Sequence, residues 1–498
     1  MILNRLAASP YGVHLWLLLY AGAWVLIPYW SNAGLPLDVV EQSAWGREWP
    51  LGLYRHPPMK VWLQEIAFLA TGGWLPSVYL VSALAFVAAQ LALYALLRDV
   101  HDRTFAFIAV VLSGLVFYFG VHLPQWNANI AQYPFAALFL LGTWRALTRG
   151  SIGWWLLAAV AAAGGLLSKF TFVLIPACLG LLVLIDPYWR SRLRPVHLAA
   201  SLVLFAALVA PTLWRTFFSG GSEAGDFIVE RTGLDSGRWS DHLMGPLVVI
   251  GATLGVLVLP WIAVRFGIAG APKPADEEAG RLETMLAVAS FGPLLVIALG
   301  ALVLGVDIKD HWLLVNFLFL PPWLLSRGMR GRWGAMRFRP GGEVLVLGAV
   351  LVIMLVYPLE RQAAYWRADG RPMEWTPLMP AAPLVNAAQD VWDEGLEAHC
   401  LPPLPLGVVG GESPAAIVAS TLPTRAQWFD QFEAGRSPWV DVGALEVTGA
   451  LAIGPGGEFF ADHGLVRAAT RQYDWPNSRG GEGTTIEISA WLPQSVCQ

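Results

Sequence analysis

The stretch Leu37-Asp38-Val39-Val40-Glu41-Gln42 and, one short loop later, Tyr54-Arg55-His56-Pro57-Pro58-Met59-Lys60 gather two carboxylates, an imidazole and two cations between strongly apolar segments. Asp38 and Glu41 lie three apart, so on a helical turn they share a face and in an extended chain they point oppositely. A carboxylate in such a place can take the proton of an attacking hydroxyl. The same Asp after Pro36 equally suits a plain helix cap, since Asp is a favoured N-cap residue. Arg55, His56 and Lys60 beside two acids suit an anionic ligand. Their plain reading is a rigid turn into an interfacial helix, with Pro at its first positions and cations toward headgroups.

Three further groups carry polar chemistry. His122, Gln125, Asn127 and Asn129 surround Trp126; amides with an aromatic suit a sugar ring, and a capped helix start explains them nearly as well. Lys309, Asp310, His311 and Trp312 form another cluster, in which His311 has no second His at ligand spacing, so zinc is not expected. Lys169 falls between two apolar runs, either as a functional cation or as a snorkelling anchor. Neither Lys169 nor Lys309 has an obvious carboxylate partner in the local sequence. No phosphate-binding Walker loop is present, and Gly164-Gly165 and Gly220-Gly221 read as helix packing and a flexible loop.

The elements that must position these groups are membrane helices. Of the 498 residues 56% are hydrophobic and 14% charged, against about 25% charged in an ordinary soluble domain, and the mean hydropathy is +0.54. Apolar runs predict about eleven spans, near 13–29, 74–97, 105–121, 133–147, 154–167, 170–185, 198–217, 247–266, 285–305, 312–325 and 344–358. The first has no small-residue cleavage site behind it and reads as a retained helix. Alternate loops carry Arg98 and Arg103, Arg145 and Arg149, Arg190 to Arg194, and Arg327 to Arg339; the positive-inside rule makes these cytoplasmic. The opposite set, with the Asp38 loop, 122–132, 219–245, 305–311 and everything after Leu359, then faces the outside. A net charge of -4 with basic residues confined to short loops argues against a nucleic-acid partner.

After Leu359, Gly, Pro and charged residues become frequent and no run could span a bilayer, so the chain divides into a membrane part, 1–359, and a small soluble α/β domain, 360–498. Helices are expected over 383–399 and 414–422, and strands over 406–409, 447–453 and 485–490. Cys400 and Cys497 both fall in this domain, where an oxidising compartment permits a disulfide.

An Asp followed by a nearby Glu and then by a Pro-Pro-Met-x-x-Trp-Leu run resembles the bacterial protein O-mannosyltransferase and aminoarabinose transferase superfamily, membrane glycosyltransferases of the GT-C class. The variant Asp-x-Val-Glu-Gln with Tyr-x-His-Pro-Pro is most similar to the branch of the lipopolysaccharide galacturonosyltransferases. Asn127-Ala128-Asn129, Ser168-Lys169-Phe170 and Lys309-Asp310-His311-Trp312 follow in the expected order. The resemblance implies a GT-C fold with a C-terminal periplasmic domain, in the bacterial inner membrane with its active site facing the periplasm. It implies an inverting transfer from a polyprenyl-phosphate sugar to an envelope lipid or glycan, with a protein acceptor as the alternative. Asp38 becomes the base with Glu41 beside it; Arg55, Lys60, Lys169 and Lys309 become donor-phosphate ligands; Gln42, His56, Asn127, Asn129 and His311 become substrate ligands. Asn127 and Asn129 stand where metal-holding relatives carry an acid, so no metal or other cofactor is expected, and a monomer among membrane lipids is. A lipid or sugar transporter is the reading from another class, which an odd span number and a one-sided cluster disfavour.

Overall fold

The computed structural model describes residues 2–218, 229, 238–270, 277–330, 334–367, 376–476 and 483–494. Gly220-Gly221, most of the 219–245 loop and Cys497 therefore lie outside the described residues. Each predicted apolar run is helical over most of its length. Among the described residues six helices are long and apolar enough to cross a bilayer: Gly12–Ser31, Ser77–Leu97, Pro195–Phe217, Trp239–Gly267, Glu277–Leu304 and Pro340–Arg361. The other runs are shorter. In the most apolar window of Pro195–Phe217 only 17% of residues are buried inside the protein. Such a helix satisfies its own backbone and leaves an apolar surface, which is what lipid tolerates. The chain is a multi-pass membrane protein.

Four runs depart from a continuous α-helix: 170–185 opens on a 3₁₀ turn at Phe170–Val173, 247–266 ends in a π turn at Ala263–Gly267, and the other two depart beside predicted site residues. The run 105–121 is α-helical only over Arg103–Ser113, started by Asp102 capping the Phe105 N–H at 2.8 Å, and continues as a 3₁₀ turn at Phe117–Phe119. The run 312–325 begins as a ten-residue 3₁₀ stretch, Asp310–Phe319, before Leu320–Gly328 turns α-helical. A 3₁₀ segment of that length is uncommon and needs tertiary support; residues 313–319 are all buried.

Small residues set the closest helix approaches. A Cβ at Gly142 would stand 3.0 Å from the Ala158 backbone nitrogen, one at Gly164 2.3 Å from the Phe135 ring, and one at Gly165 2.3 Å from the Phe172 ring. The Gly164-Gly165 pair is thus a packing feature, as its context indicates. At the opposite helix ends, Asp99 receives Arg145 at 2.7 and 2.9 Å and Arg149 at 2.8 Å, and Glu283 receives Arg327 and Arg330. Part of the arginine excess in the basic loops is therefore matched by carboxylates.

The contacts divide the chain into two compact units: Met1–Ile27, Arg55–Met59 and Tyr79–Tyr357 form the first, and Pro28–Tyr54, Lys60–Val78 and Pro358–Gln498 the second. This differs from a single boundary at residue 359. The helix α1 (Leu37–Gly46) and most of α2 (Met59–Ala70), which flank the early polar loop, share a core with the C-terminal residues: Val40, Ala44, Trp45 and Val61 pack with Leu384, Trp392, Ile417 and Trp428. Local sequence composition marks the later segment as soluble, but it cannot show which earlier helices pack on it.

In this second unit α3 (Ala381–Ala398) and α4 (Ser413–Thr421) cover a five-stranded sheet of β1 (Val408–Gly411), β2 (Gln427–Asp430), β3 (Ala450–Ile453), β4 (Val466–Trp475) and β5 (Thr484–Leu492), in the order β2-β1-β3-β5-β4. β1 pairs in parallel with β2 and β3, and the β3-β5-β4 side is antiparallel. The expected α/β class holds. The two strands not anticipated, β2 and β4, are the edges, where β2 is only four residues long and β4 reads Val-Arg-Ala-Ala-Thr-Arg-Gln. Cys400, which follows α3 at φ 55°, is disulfide-bonded; Cys497, its expected partner, is outside the described residues.

The strand β1 ends on Gly411 at φ 131°, where a Cβ would stand 2.2 Å from the Ile453 carbonyl oxygen. We expect Gly411→Ala to cost about 1–3 kcal/mol or more, with hydrogen exchange of the β1 and β3 amides accelerated first. Wild-type protection of those amides would contradict this reading of the turn.

Candidate active site

The second unit holds Asp38, Glu41, Gln42 and Lys60. Pro36 occupies the N-cap of α1 with no side-chain cap bond, and Asp38 sits inside the first turn. The capping reading of Asp38 therefore falls away, and its carboxylate is half-buried at the positive end of a ten-residue helix. Among the described residues of its unit it accepts no hydrogen bond. Glu41, three residues on, is buried on the same helix. Gln42 turns back to donate to the Asp38 carbonyl at 2.5 Å. Lys60 is buried, with its ammonium 5.9 Å from the centre of the Trp45 ring, so it is a packed cation rather than a headgroup anchor. Pro57 and Pro58 precede α2 instead of occupying its first turn.

Within the same unit α1 is held by an unbroken chain of polar contacts. Gln64 donates to the Val39 carbonyl at 2.9 Å and to the Ser43 hydroxyl at 2.5 Å. Its neighbour Glu65, 3% exposed, receives both arms of Arg425 at 2.7 and 2.8 Å, and Arg425 also reaches the Ser43 carbonyl at 3.3 Å. Gly46 is required where α1 ends against this pair, because a Cβ there would stand 2.4 Å from Glu65 Oε2.

The first unit holds Arg55, His56, Asn127, Asn129, Lys169, Lys309 and His311. The helix Ile152–Ser168 stops at Lys169, which is extended (φ -160°, ψ 133°), and a 3₁₀ turn follows. This break presents the ammonium, which donates to Asn129 Oδ1 at 2.7 Å and lies 5.5 Å from the centre of the Trp312 ring. Asn129, Lys169 and Trp312, from three separate segments, are therefore one cluster. Asn127 caps the short helix Ala128–Ala131, accepting from the Asn129 and Ile130 N–H groups at 2.9 and 3.3 Å. Its capping role is realised, and it fixes the turn that offers Asn129.

Lys309 corrects the expectation that it has no nearby carboxylate: it donates to Asp307 at 2.5 Å, two residues back in a segment running away from the helix end at Gly305. Asp310 receives the Tyr118 hydroxyl, the His311 backbone N–H at 2.7 Å and, at 3.5 Å, the His311 ring nitrogen, while Tyr118 lies against His122 with ring centres 5.0 Å apart. The His311 ring first, and then the Tyr118 hydroxyl, hold the Asp310 carboxyl well below the usual carboxylate range against the opposing effect of partial burial.

Residues 55–214 match the family model described as dolichyl-phosphate-mannose-protein mannosyltransferase. The chain is 25% identical over 364 residues to the lipopolysaccharide core galacturonosyltransferase RgtB of Rhizobium johnstonii, covering 69% of this chain and 71% of RgtB. It is 24% identical over 371 residues to RgtA of the same organism, covering 72% and 71%. The crystal structure of ArnT from Cupriavidus metallidurans bound to undecaprenyl phosphate superposes with a TM-score of 0.56 at 14% identity, over 97% of this chain and 98% of ArnT. The chain has the GT-C fold and is a glycosyltransferase.

In this glycosyltransferase, sequence reasoning missed Gln64, Glu65, Tyr118 and Arg425. Gln64-Glu65 was detectable as a polar pair inside the apolar run Val61-Trp62-Leu63…Ile66-Ala67-Phe68. Arg425, 360 residues from Glu65, gives no local signal. The Asp310 cluster makes a pH prediction. With its folded pKa below the unfolded one, ionised Asp310 adds stability above the ordinary carboxylate pKa of about 4 and loses it as pH falls through the lowered value. Asp310 is half-exposed, so we expect Asp310→Asn to cost no more than about 1 kcal/mol. Thermal unfolding in detergent should show a gap to wild type that is constant near neutrality and closes only well below about pH 4. A gap already closed near neutrality would contradict the assigned network.

Proposed function

We propose that this glycosyltransferase moves a sugar, with inversion, from a polyprenyl phosphate to the lipopolysaccharide core on the periplasmic face of the inner membrane. The observation that carries the mechanism is Asp38: a half-buried carboxylate in the first turn of α1 that does not cap the helix and is not hydrogen-bonded among the described residues of its unit. In this reading Asp38 takes the proton of an acceptor hydroxyl as its oxygen attacks the anomeric carbon. The bond to the lipid phosphate breaks, and the phosphate leaves already ionised. It needs positive charge rather than a proton, and Lys169, presented at a helix break and bonded to the Asn129 amide, is a candidate to supply it. Lys309, which pairs with Asp307, is another. Arg55 and Lys60 are further phosphate candidates, and Glu41, Gln42, His56, Asn127, Asn129 and His311 are candidates to hold the sugar and the acceptor.

Support for the donor comes from the fold shared with ArnT, solved with undecaprenyl phosphate. Support for the acceptor comes from RgtA and RgtB, named for the lipopolysaccharide core and matched over 72% and 69% of the chain. The family model over 55–214 is named for a protein acceptor and makes protein glycosylation the second reading. The basic loops, including Arg145, Arg149, Arg327 and Arg330, support the inside-out orientation. Mass spectrometry of envelope lipids and glycoproteins from a deletion strain separates the two readings: loss of a core sugar supports the first, loss of a protein-linked sugar replaces it.

Undecaprenyl-phosphate galacturonate is the first donor to test. Asp38→Asn should nearly abolish transfer to a hydroxyl acceptor while the variant unfolds at the wild-type temperature; wild-type turnover would remove Asp38 from the role. Lys169→Met should weaken binding of undecaprenyl phosphate well beyond twofold, because charge-assisted bonds are about twice as strong as neutral ones. Unchanged binding would return Lys169 to the role of a headgroup anchor.

A further inference from the structure

Four residues of one short segment of the C-terminal domain touch α1, α2 and the loop between them. Arg425 pairs with Glu65 and reaches the Ser43 carbonyl, Gln427 donates to Glu48 at 3.3 Å, Trp428 stacks on Trp45 at 5.5 Å and 27°, and Asp430 accepts from the Tyr54 hydroxyl at 2.8 Å. The contacts run along the edge strand β2 and the turn before it. That turn is strained: Arg425 is a non-glycine residue at φ 48°, the left-handed region. Such a conformation persists only where its surroundings fix it, and here its result is to aim a guanidinium at Glu65 and α1.

Two of the donors around α1 grip its main chain. Arg425 and Gln64 bond the carbonyls of Ser43 and Val39, the latter belonging to the residue next to Asp38. The Ser43 hydroxyl, which receives Gln64, itself donates to Val39 at 2.9 Å. Rotation of α1 about its axis would break all of them at once, so they fix the direction in which the first turn of α1 points Asp38.

We infer that Arg425, through Glu65, and Gln64 are positioning residues for the transfer reaction, and that the 425–430 segment makes the C-terminal domain part of the catalytic apparatus. The inference rests on Asp38 acting as the base. A proton acceptor displaced by about 1 Å can lose on the order of 100-fold in rate without losing substrate affinity, and this separates positioning from mere support of the fold.

The test uses full-length enzyme in detergent with undecaprenyl-phosphate galacturonate and lipopolysaccharide core, comparing Gln64→Leu, Arg425→Met and Arg425→Lys. We expect kcat per folded molecule to fall roughly 10- to 100-fold in Gln64→Leu and Arg425→Met, with the donor KM and the affinity for undecaprenyl phosphate unchanged. Arg425→Lys, which keeps the charge but cannot span both Glu65 oxygens and the Ser43 carbonyl, should recover part of kcat. Gln64→Leu removes only neutral hydrogen bonds and serves if Arg425→Met does not fold. Wild-type kcat in folded Gln64→Leu, with only a lowered Tm, would overturn the inference while an inactive Asp38→Asn left the base assignment standing. Wild-type turnover in Asp38→Asn would remove the base assignment and the inference with it.

Discussion

A carboxylate with 3% of its surface exposed is costly unless it is paired at close range, and Glu65 is paired with the two arms of Arg425. The pair joins α2 to the turn before β2, and Gly46 at the end of α1 leaves just the room it occupies. Removing either partner leaves an uncompensated buried charge, a far larger penalty than the modest net gain from forming the pair. The arrangement is therefore conditional: α1, α2 and the C-terminal sheet take their places together or not at all. The stacking of Trp45 on Trp428 and the burial of Val40, Ala44 and Val61 add the apolar part of the same interlock.

The first unit handles polar groups differently. A membrane helix satisfies its own backbone and has nothing left for a ligand, so polar side chains are displayed where helices stop. Lys169 sits at the extended break after Ser168, Asn129 in a turn capped by Asn127, and Asp310 and His311 at the start of a 3₁₀ stretch. Each break exposes backbone groups that something must satisfy, and the Asn127 side chain does so for two N–H groups at once. Irregular backbone and functional side chains occur together because the first makes the second accessible.

The readings of Asp38 and Lys309 moved for one physical reason: spacing along a chain fixes neither a helix boundary nor an ion-pair partner. Asp38 after Pro36 fits a cap and a first-turn acid alike until the helix start is known, and the start at Leu37 leaves it in the first turn. Lys309 has both Asp307 and Asp310 within two residues; the backbone there sends it to Asp307 and leaves Asp310 to Tyr118 and His311.

The sequence by itself determined what depends on composition and period. Apolar runs had to become membrane helices because hydrocarbon admits little else, Gly164-Gly165 read as helix packing, and the switch to Gly, Pro and charge after Leu359 marked a segment with no further span. The order Asp38, His56-Pro57-Pro58, Asn127-x-Asn129, Lys169 and Lys309-Asp310-His311 was enough to point to a glycosyltransferase. Tertiary structure alone decided the partnerships: Lys169 with Asn129 across 40 residues, Tyr118 with Asp310 across 192, and Glu65 with Arg425 across 360. Long-range pairs of this kind are set by how whole elements pack, a sum over many buried side chains. No local pattern carries that sum, so the sequence could name the acid at the head of α1 but not the arginine that helps hold that helix in place.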